Sequence, residues 1–208
     1  MVNDYRFTHY CPQFENLKDK KSSVANEVHQ DAPRAIDMHA YISKNSCRYK
    51  LLFMEAYSFK CAYCGTSTDI IPKEMYEIDH FIHEKSFPSK AQAGFVDNLV
   101  LACHTCNHNK RALSLPAEHQ VLLHPDNEGI RGVFTRDENY YIITSDEYDK
   151  DPCVSSFYNQ LGLGDETRRL DYLLMSMIGL QRNVTDDHDL YTALGQAIDK
   201  LRIKRNIT

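Results

Sequence analysis

The sequence predicts an α+β protein that is mainly helical, with a small module of short strands between two helical segments. Apolar residues recur at helical spacing near both ends of the 208-residue chain. In the middle of the chain, short apolar stretches alternate with two pairs of cysteines. We therefore expect an N-terminal, mostly helical segment (residues 1–60), a central module (61–115), and a C-terminal segment (116–208) with a short β-hairpin and two helices.

The N-terminal segment is expected to be helical after an irregular start over residues 1–12. The polar stretch 13–30 could form a first helix. A second helix is predicted to begin in DAPRAIDMHAYIS, where Asp31 can cap the helix and Pro33 stands near its first turn. Apolar residues continue this pattern, with a break, to about residue 58.

The central module is expected to contain short elements between two cysteine knuckles. The knuckles are CAYC (61–64) and CHTC (103–106), and YEIDHFIH (76–83) predicts one or two short strands. NLVLA predicts a strand that leads into the second knuckle, and NHNKRALS (107–114) predicts the start of a helix.

The C-terminal segment is predicted to hold a hairpin in GVFTRDENYYIIT (132–144) and helices in residues 164–181 and 187–205. Asp165 or Thr167 could cap the first of these helices. The acidic stretch 137–151 is expected to be solvated. The basic end of the last helix, with Lys200, Arg202, Lys204 and Arg205, is expected to be a solvated face that complements the helix dipole, and pairing with an acidic surface of a partner is the alternative.

The composition is that of an ordinary globular protein, with 42% hydrophobic and 25% charged residues. No apolar run approaches the roughly 18 to 20 residues that cross a bilayer, and the N-terminus lacks a secretory pattern, so we expect a cytoplasmic protein. The net charge of −5 counts against tight, unaided DNA binding, because phosphate neutralisation supplies most non-specific affinity. It leaves room for a partner that presents the nucleic acid.

Seven cysteines, an odd number, argue against a disulfide framework. Two C-x-x-C pairs supply four thiolates, which is the ligand set of a tetrahedral structural zinc site. Redox activity or simple burial is the alternative for each pair taken alone, and His104 and His108 are alternative zinc ligands. Cys11, Cys47 and Cys153 are isolated and are expected to be small buried hydrophobes.

The order and spacing of CAYC, EIDHF and NLVLACHTCNHNK, from Cys61 to Lys110, resemble the motif of the HNH endonucleases. The resemblance implies a ββα-metal fold, in which two strands and a helix surround one catalytic cation. It also implies hydrolysis of phosphodiester bonds in nucleic acid. An ordinary strand histidine is the alternative interpretation of His80, and a non-catalytic zinc-knuckle adaptor is the alternative for the module.

The resemblance assigns roles by position. His80 would be the general base, and a neutral imidazole with a pKa of about 6.5 suits that task. Asp79 and Asn107 would be ligands of a catalytic Mg²⁺ or Mn²⁺, which prefer hard oxygen ligands. Asn98 would brace the loop between the strands and orient His80. Structural zinc would be held by Cys61, Cys64, Cys103 and Cys106.

Two positions depart from the family pattern. His83 stands where many members have proline, three residues after the catalytic histidine. His108 could replace Asn107 as the metal ligand if the register shifts by one, although Asn107 is preferred because it directly follows the second knuckle. Lys110, Arg111 and His83 could contact phosphate.

A looser similarity extends beyond the motif through HPDNEGIRGVF and FYNQLGLGDETRRLDYLLMSMIGLQ. These stretches resemble the C-terminal region of HNH proteins encoded beside SMC-like or ABC-type ATPases, in Septu-type and retron-associated antiphage systems. The resemblance implies an ATPase partner that docks on the C-terminal segment. DNA is the favoured substrate, and RNA such as tRNA is the alternative.

Overall fold

The architecture is mainly helical with two small β-sheets, in agreement with the predicted α+β class. The structure is a computed structural model that describes residues 4–44 and 47–207, so predicted stretches that include residues 1–3, 45–46 and 208 lie partly outside the described residues. The helices are α1 (Leu17–Asp31), α2 (His39–Ile42), α3 (Arg48–Ala56), α4 (Lys90–Ala93), α5 (His104–Lys110), α6 (Ala117–Leu123), α7 (Gly129–Val133), α8 (Pro152–Leu161), α9 (Glu166–Asn183) and α10 (His188–Arg205). The strands are β1 (Tyr76–His80), β2 (Leu99–Cys103), β3 (Phe134–Arg136) and β4 (Ile142–Thr144).

The N-terminal helices differ from the prediction at Asp31. The polar stretch does form a helix, α1, but Asp31 is its last residue rather than the cap of a second helix. Ala32 has φ −138° and ψ 78°, because the ring of Pro33 disfavours the helical conformation at the residue before it. The chain becomes helical again only at α2, and α3 follows Cys47, whose sulfur accepts a hydrogen bond from the Lys50 amide.

The central sheet is an antiparallel pair of β1 and β2, so the predictions of strands in these two stretches are confirmed. Asp79 lies opposite Val100, and His80 lies opposite Leu99. All five residues of β2 are buried. The loop 81–98 returns the chain from the end of β1 to the start of β2, and it includes α4.

Helix α5 begins at His104, before the predicted start at Asn107, and it ends at Lys110 instead of continuing into RALS. The second knuckle is part of this helix, because Cys103 occupies the cap position and Cys106 lies in the first turn. Residues three apart at a helix start share one face, so both sulfurs can point to the same place. Arg111 ends the helix with φ +49° and ψ −136°.

The C-terminal segment contains the predicted hairpin and the two predicted helices, α9 and α10, but it also contains α6, α7 and α8. Asp151 explains the start of α8, because its side chain accepts hydrogen bonds from the amides of Cys153 and Val154. Pro152 at the first position favours the same start. Asp165 stands at the cap position of α9, although its side chain makes no capping hydrogen bond.

The three isolated cysteines are half-buried rather than fully buried. Cys47 caps α3, and the Cys11 thiol lies 3.5 Å from the Met175 carbonyl oxygen. Cys153 lies beside His119 and Asp151, with one ligand atom of each within 4.8 Å of the others. Their surroundings are therefore partly polar, in contrast to the predicted apolar environment.

The main hydrophobic core draws on all three predicted segments. It includes Tyr5 and Phe53 from the N-terminal segment, Leu101 from β2, and Phe157 from α8. A smaller core joins α9 and α10 around Leu174 and Ile198, together with Met175, Ile178 and Ile70. The boundaries at residues 60 and 115 stay a prediction, and buried residues of the central sheet belong to the same core cluster as residues of both neighbouring segments. None of the described helices is both long and apolar enough to cross a membrane.

Candidate active site and metal centre

Four cysteine sulfurs from the two knuckles converge in the interior. Each cysteine is at most 2% exposed, and the four sulfur atoms lie within 4.8 Å of one another. The Cys64 and Cys103 sulfurs are 3.9 Å apart. A tetrahedral zinc ion with bonds of about 2.3 Å would hold its sulfur ligands roughly 3.8 Å apart, so the set fits zinc. The four residues are Cys61, Cys64, Cys103 and Cys106, and neither His104 nor His108 belongs to the cluster.

The local backbone explains why the first knuckle closes against the second. Gly65 has φ +77°, and a Cβ at this position would lie 2.3 Å from the carbonyl oxygen of Arg6, so the turn requires glycine. The Ala62 amide donates to the Leu101 carbonyl oxygen at 2.7 Å. This bond holds the first knuckle beside β2, directly before the second cysteine pair.

Arg168 of α9 contacts the cysteine cluster, and the sequence analysis missed it. The residue is 3% exposed, and its guanidinium donates to the sulfurs of Cys64 at 3.4 Å and Cys106 at 3.2 Å. Burial opposes the charged form, but the nearby cysteine sulfurs raise the pKa of Arg168. A permanently charged guanidinium in this position offsets the negative charge of the thiolates.

A buried network connects the same cluster to the end of α10. The Thr66 hydroxyl lies 3.2 Å from the Cys64 sulfur and donates to Asp171 at 3.0 Å. Arg205 Nε donates to the other carboxylate oxygen of Asp171 at 2.7 Å. Asp171 is 1% exposed, so Arg205 has an internal partner. The expectation of a solvated face therefore does not hold for Arg205, whereas dipole complementation and a partner contact at this basic end stay predictions.

A pocket of about 440 Å³ opens beside the end of β1. It brings together several residues predicted from the sequence and others that were not predicted, among them His39 of α2. Its lining consists of His39, Ile78, Asp79, His80, His83, Glu84, Asn107, Arg111 and Ala112. The N-terminal segment and the central module thus both contribute to the pocket.

The rings of His39 and His80 pack against each other, with centroids 4.2 Å apart and planes inclined by 32°. His39 Nε2 lies 3.0 Å from the Ile78 carbonyl oxygen, and this nitrogen carries a proton because a carbonyl only accepts. Burial, followed by the charge of His39, lowers the pKa of His80 to about 4. His80 is therefore neutral at pH 7, with a ring nitrogen able to accept a proton.

Asp79 is 7% exposed and is held by two neighbours. Its Oδ2 accepts a hydrogen bond from the Tyr63 hydroxyl at 2.6 Å and lies 3.3 Å from the ammonium group of Lys110. Burial raises the pKa of Asp79, although Lys110 and Tyr63 both act to lower it. The carboxylate is thus incompletely compensated, and a further cation nearby would stabilise its charged form.

Asn107 lines the pocket, whereas His108 is exposed and lies outside the lining. The Asn107 amide group donates to Glu77, and Glu77 also accepts a hydrogen bond from His104 Nδ1 at 2.9 Å. The amide oxygen of Asn107 is the atom left to face a ligand. This arrangement favours Asn107 over His108 as the residue that meets Asp79 at the pocket.

Asn98 holds the loop between the strands through three hydrogen bonds. Its Oδ1 accepts from the Ile82 amide at 2.8 Å, and its Nδ2 donates to the carbonyl oxygens of Ile82 at 3.0 Å and Ala93 at 2.8 Å. The Asn98 carbonyl oxygen also accepts from the Phe81 amide at 2.8 Å. The residue directly after His80 is therefore fixed by Asn98.

Residues 61–112 match the family model of the HNH endonucleases. The matched region, here called the HNH region, contains both knuckles and every predicted catalytic residue, and it covers about a quarter of the chain. The match indicates a nuclease that binds nucleic acid and metal ions. No curated protein and no solved structure matches the chain.

Three residues of the HNH region, His83, Lys110 and Arg111, were predicted to contact phosphate, and the structure places Lys110 differently from the other two. Lys110 is 2% exposed, and its ammonium group donates to the carbonyl oxygens of His80 and Phe81 at 2.9 and 3.1 Å. Lys110 therefore lies in the interior and supports the end of β1, away from a phosphate-binding surface. Arg111 and His83 line the pocket.

His39 and Arg168 lie outside the HNH region, and neither carries a motif that would single it out in the sequence. Both reach the site through the packing of a distant helix. Tyr63 could have been found, because it stands inside the first knuckle, where a large aromatic residue with a hydroxyl has few reasons to be fully buried.

Proposed function

We propose that this protein is a metal-dependent endonuclease that hydrolyses phosphodiester bonds in nucleic acid, with DNA as the favoured substrate. One observation carries the proposal. A single open pocket brings together a neutral histidine, His80, with the oxygen-bearing side chains of Asp79 and Asn107, inside the region that matches the HNH endonucleases. The chain order of β1, β2 and α5 around this pocket supports a ββα-metal fold.

His80 is the general base of the proposed reaction. Its neutral imidazole accepts a proton from the water that attacks phosphorus. A pKa of about 4 makes it a weak base in the free protein, and the negative charge of a bound phosphate would raise that value. Asn98 acts through the backbone, because it fixes Phe81 directly after the base.

Asp79 and Asn107 are the proposed ligands of a catalytic Mg²⁺ or Mn²⁺. Each uses one side-chain atom for internal hydrogen bonds, Oδ2 in Asp79 and Nδ2 in Asn107, so the Oδ1 atoms are the candidate donors. When bound, the cation supplies stabilisation of charge on the phosphate and the leaving oxygen. The raised pKa of Asp79 agrees with a site that accepts an additional cation.

Arg111 is the proposed phosphate contact, with His83 beside it. Arg111 lines the pocket, is exposed, and has φ +49°, a conformation that is unfavourable for a side chain with a Cβ. Strain of this kind persists where the surrounding structure requires it, and it is concentrated at functional sites. The neighbouring cation Lys110, the last residue of α5, is buried and does not line the pocket.

The test is a cleavage assay on duplex DNA, single-stranded DNA and total RNA with Mg²⁺ or Mn²⁺. We expect His80→Ala to lower the rate by about 100-fold or more while zinc content and melting temperature stay at the wild-type values. His108→Ala is the matched control, because His108 belongs to the same motif but lies outside the pocket. Equal cleavage by His80→Ala and wild type would exclude the assignment.

The assay also separates the alternatives. If the protein cleaves RNA and neither form of DNA, RNA replaces DNA as the proposed substrate class. If the wild-type protein cuts none of these substrates, with or without a co-expressed neighbouring ATPase, the zinc-knuckle adaptor becomes the better explanation.

The ATPase partner and the role in antiphage defence are part of the proposal, and they rest on the looser resemblance of the C-terminal segment. The exposed apolar side chains of Tyr191 and Ile203 on α10 are available for contacts with a partner. Gel filtration of the co-expressed pair should show a stable complex. Independent elution of the two proteins across a range of salt concentrations would contradict the partnership.

A further inference from the structure

A second cavity, of about 460 Å³, lies entirely outside the HNH region. Residues 4–13, the β3–β4 hairpin, α7 and α9 contribute its lining, which includes Asp4, Thr8, Arg131, Arg136, Asp137 and Tyr140. We refer to it as the hairpin cavity. Four of its features indicate what it binds.

The first feature is Arg136, a largely buried cation. Its guanidinium stacks on the Tyr172 ring at 4.0 Å and donates to the carbonyl oxygens of Tyr5 at 2.7 Å and Tyr140 at 2.6 Å. It forms no ion pair with a carboxylate in the part of the chain that the structure describes. Burial lowers the pKa of Arg136 to about 10. A desolvated cation without a counter-ion is unfavourable, and an anion in the cavity would compensate it.

The second feature is an unsatisfied hydroxyl. Thr8 is 4% exposed, and its Oγ1 has no hydrogen-bond partner among the described residues. Buried polar groups in native proteins are nearly always paired. A ligand oxygen in the cavity would provide the missing partner.

The third feature is the state of the other charged residues that line the cavity. Asp4 is occupied by Arg6, which donates to both of its carboxylate oxygens. Asp137 accepts two backbone amides of the hairpin turn through its Oδ1. Arg131 lies between two acids, with its Nε 3.3 Å from Asp4 and its Nη1 2.8 Å from Glu128. All three residues are therefore engaged within the fold, and Arg136 is the arginine of the cavity that lacks a carboxylate partner among the described residues.

The fourth feature is Tyr140, which adopts φ +69° in the hairpin turn. Glycine or asparagine would adopt this conformation at lower cost. The Tyr140 side chain is 46% exposed, and its ring stacks on Tyr172 with centroids 5.7 Å apart and planes inclined by 27°. An aromatic ring is thus held at the cavity in a conformation that the backbone disfavours. Such rings form stacking platforms for nucleobases.

We propose that the hairpin cavity binds a nucleotide, with the phosphate at Arg136 and Thr8 and the base stacked on Tyr140. The nucleotide is either a free mononucleotide or one unit of a nucleic-acid strand, since both present the same phosphate and base. The site goes beyond the proposed hydrolysis and does not depend on it, because none of its residues lines the pocket at His80.

The test is binding, measured in the His80→Ala background so that no probe is cleaved. Isothermal calorimetry with inorganic phosphate, with 5′-mononucleotides and with a short single-stranded oligonucleotide separates the two sources. Arg136→Gln, Thr8→Val and Tyr140→Gly should each weaken binding of the nucleotide probe by about tenfold. Arg169→Gln is the control, because Arg169 stacks on Tyr141 of the same hairpin and lies outside the cavity.

Stability measurements keep the test independent of misfolding. Thr8→Val removes an unsatisfied hydroxyl and Tyr140→Gly removes backbone strain, so both variants should melt at or above the temperature of the parent protein. Lower affinity together with unchanged or higher stability supports a binding role for both residues.

The outcomes decide the proposal. If mononucleotides bind and both Thr8→Val and Tyr140→Gly weaken that binding, the ligand is a free nucleotide. If only the oligonucleotide binds and both variants weaken its binding, the ligand is a strand of nucleic acid. If no probe binds, or if affinity is equal in all three variants and the Arg169→Gln control, the proposal is wrong. Cleavage by the wild-type protein is measured in a separate assay. The proposed nuclease activity and the proposed nucleotide site can therefore be refuted independently.

Discussion

At the scale of single residues, the candidate active site depends on one histidine from outside the HNH region. His39 packs against the ring of His80 and is itself anchored to the Ile78 carbonyl oxygen, on the same strand as His80. The contact restricts the orientation of the proposed base. His39 is thus a candidate positioning residue, because it acts on the substrate through His80.

We expect His39→Ala to lower kcat by about 10- to 100-fold with little change in KM, since a small displacement of a catalytic group has effects of this size. In the His80→Ala background the same change should cause no further loss. His29→Ala is a suitable control, because His29 also contacts a backbone carbonyl oxygen in the N-terminal segment but lies away from the pocket. An increase in KM with constant kcat would contradict a positioning role.

Arg168 is the second residue whose importance comes from its surroundings. Its guanidinium contacts three of the four cysteine sulfurs and brings a positive charge to them. Outer hydrogen bonds to metal ligands tune metal affinity.

We expect Arg168→Gln to increase the rate of zinc loss to a coloured chelator by about 10- to 100-fold. Arg169→Gln provides the comparison, because Arg169 is the next residue of α9 and pairs with Glu166 on the surface. Identical rates of zinc loss in the two variants would show that the thiolates do not require the Arg168 charge.

At the scale of elements, Asn98 is the main internal support of the loop 81–98, which connects β1 to β2 in the HNH region. The three side-chain hydrogen bonds of Asn98 satisfy backbone groups of Ile82 and Ala93. Asn98 is 8% exposed, so water cannot easily replace these bonds.

Asn98→Ala should therefore lower the free energy of unfolding by about 2 to 4 kcal/mol, from three hydrogen bonds of roughly 1 kcal/mol each and the unsatisfied groups left behind. Urea unfolding in the presence of zinc measures the change. Asn127→Ala should cost less than about 1 kcal/mol, because Asn127 donates one exposed hydrogen bond to Val121. If Asn98→Ala lowers the free energy of unfolding no more than Asn127→Ala does, Asn98 does not brace the loop.

Elements were predicted well where a local pattern specifies them. The hairpin of β3 and β4 follows from its turn and flanking apolar residues, and α9 and α10 follow from their periodicity. Helix α8 was missed although Asp151 and Pro152 carry ordinary start signals, because the acidic stretch before it was interpreted as solvated loop. Asp31 was predicted to cap the start of a helix but is the last residue of α1, since residue types that cap helices also occur in the last turn of a helix.

At the scale of the whole molecule, His124 connects the C-terminal segment to the HNH region. Its ring packs on Phe81 at 4.5 Å, and its Nε2 lies 3.1 Å from the Asp97 carbonyl oxygen. Burial lowers the pKa of His124, and Lys21 acts in the same direction, although Asp126 and Asp97 oppose it. The folded protein thus favours the neutral ring.

This shift predicts a dependence of stability on pH. Because the folded pKa lies below the unfolded value of about 6.5, the contribution of His124 is fully present above pH 6.5 and is lost as pH falls through the folded pKa. We expect the unfolding free energy of His124→Gln to decline less steeply than that of wild type below about pH 6.5. Urea unfolding at constant zinc provides the measurement, and parallel curves for the two proteins would contradict the assignment.

The sequence by itself determined the features that depend on short spacing along the chain. The C-x-x-C pairs, the Asp79–His80 pair and the positions of Asn98 and Asn107 follow from local order, and the structure brings all four cysteines together. Covalent connection limits where such neighbours can lie, so their spacing carries information.

Only the tertiary structure decided which distant residues complete or change these sites. It placed His39 against His80, Arg168 against the cysteine sulfurs and the Lys110 ammonium group in the interior, and it enclosed the hairpin cavity. These contacts join residues far apart in the chain through the packing of whole helices. No local propensity encodes them, because they arise from burial of apolar surface between elements, and the polar side chains then pair within the space that packing leaves.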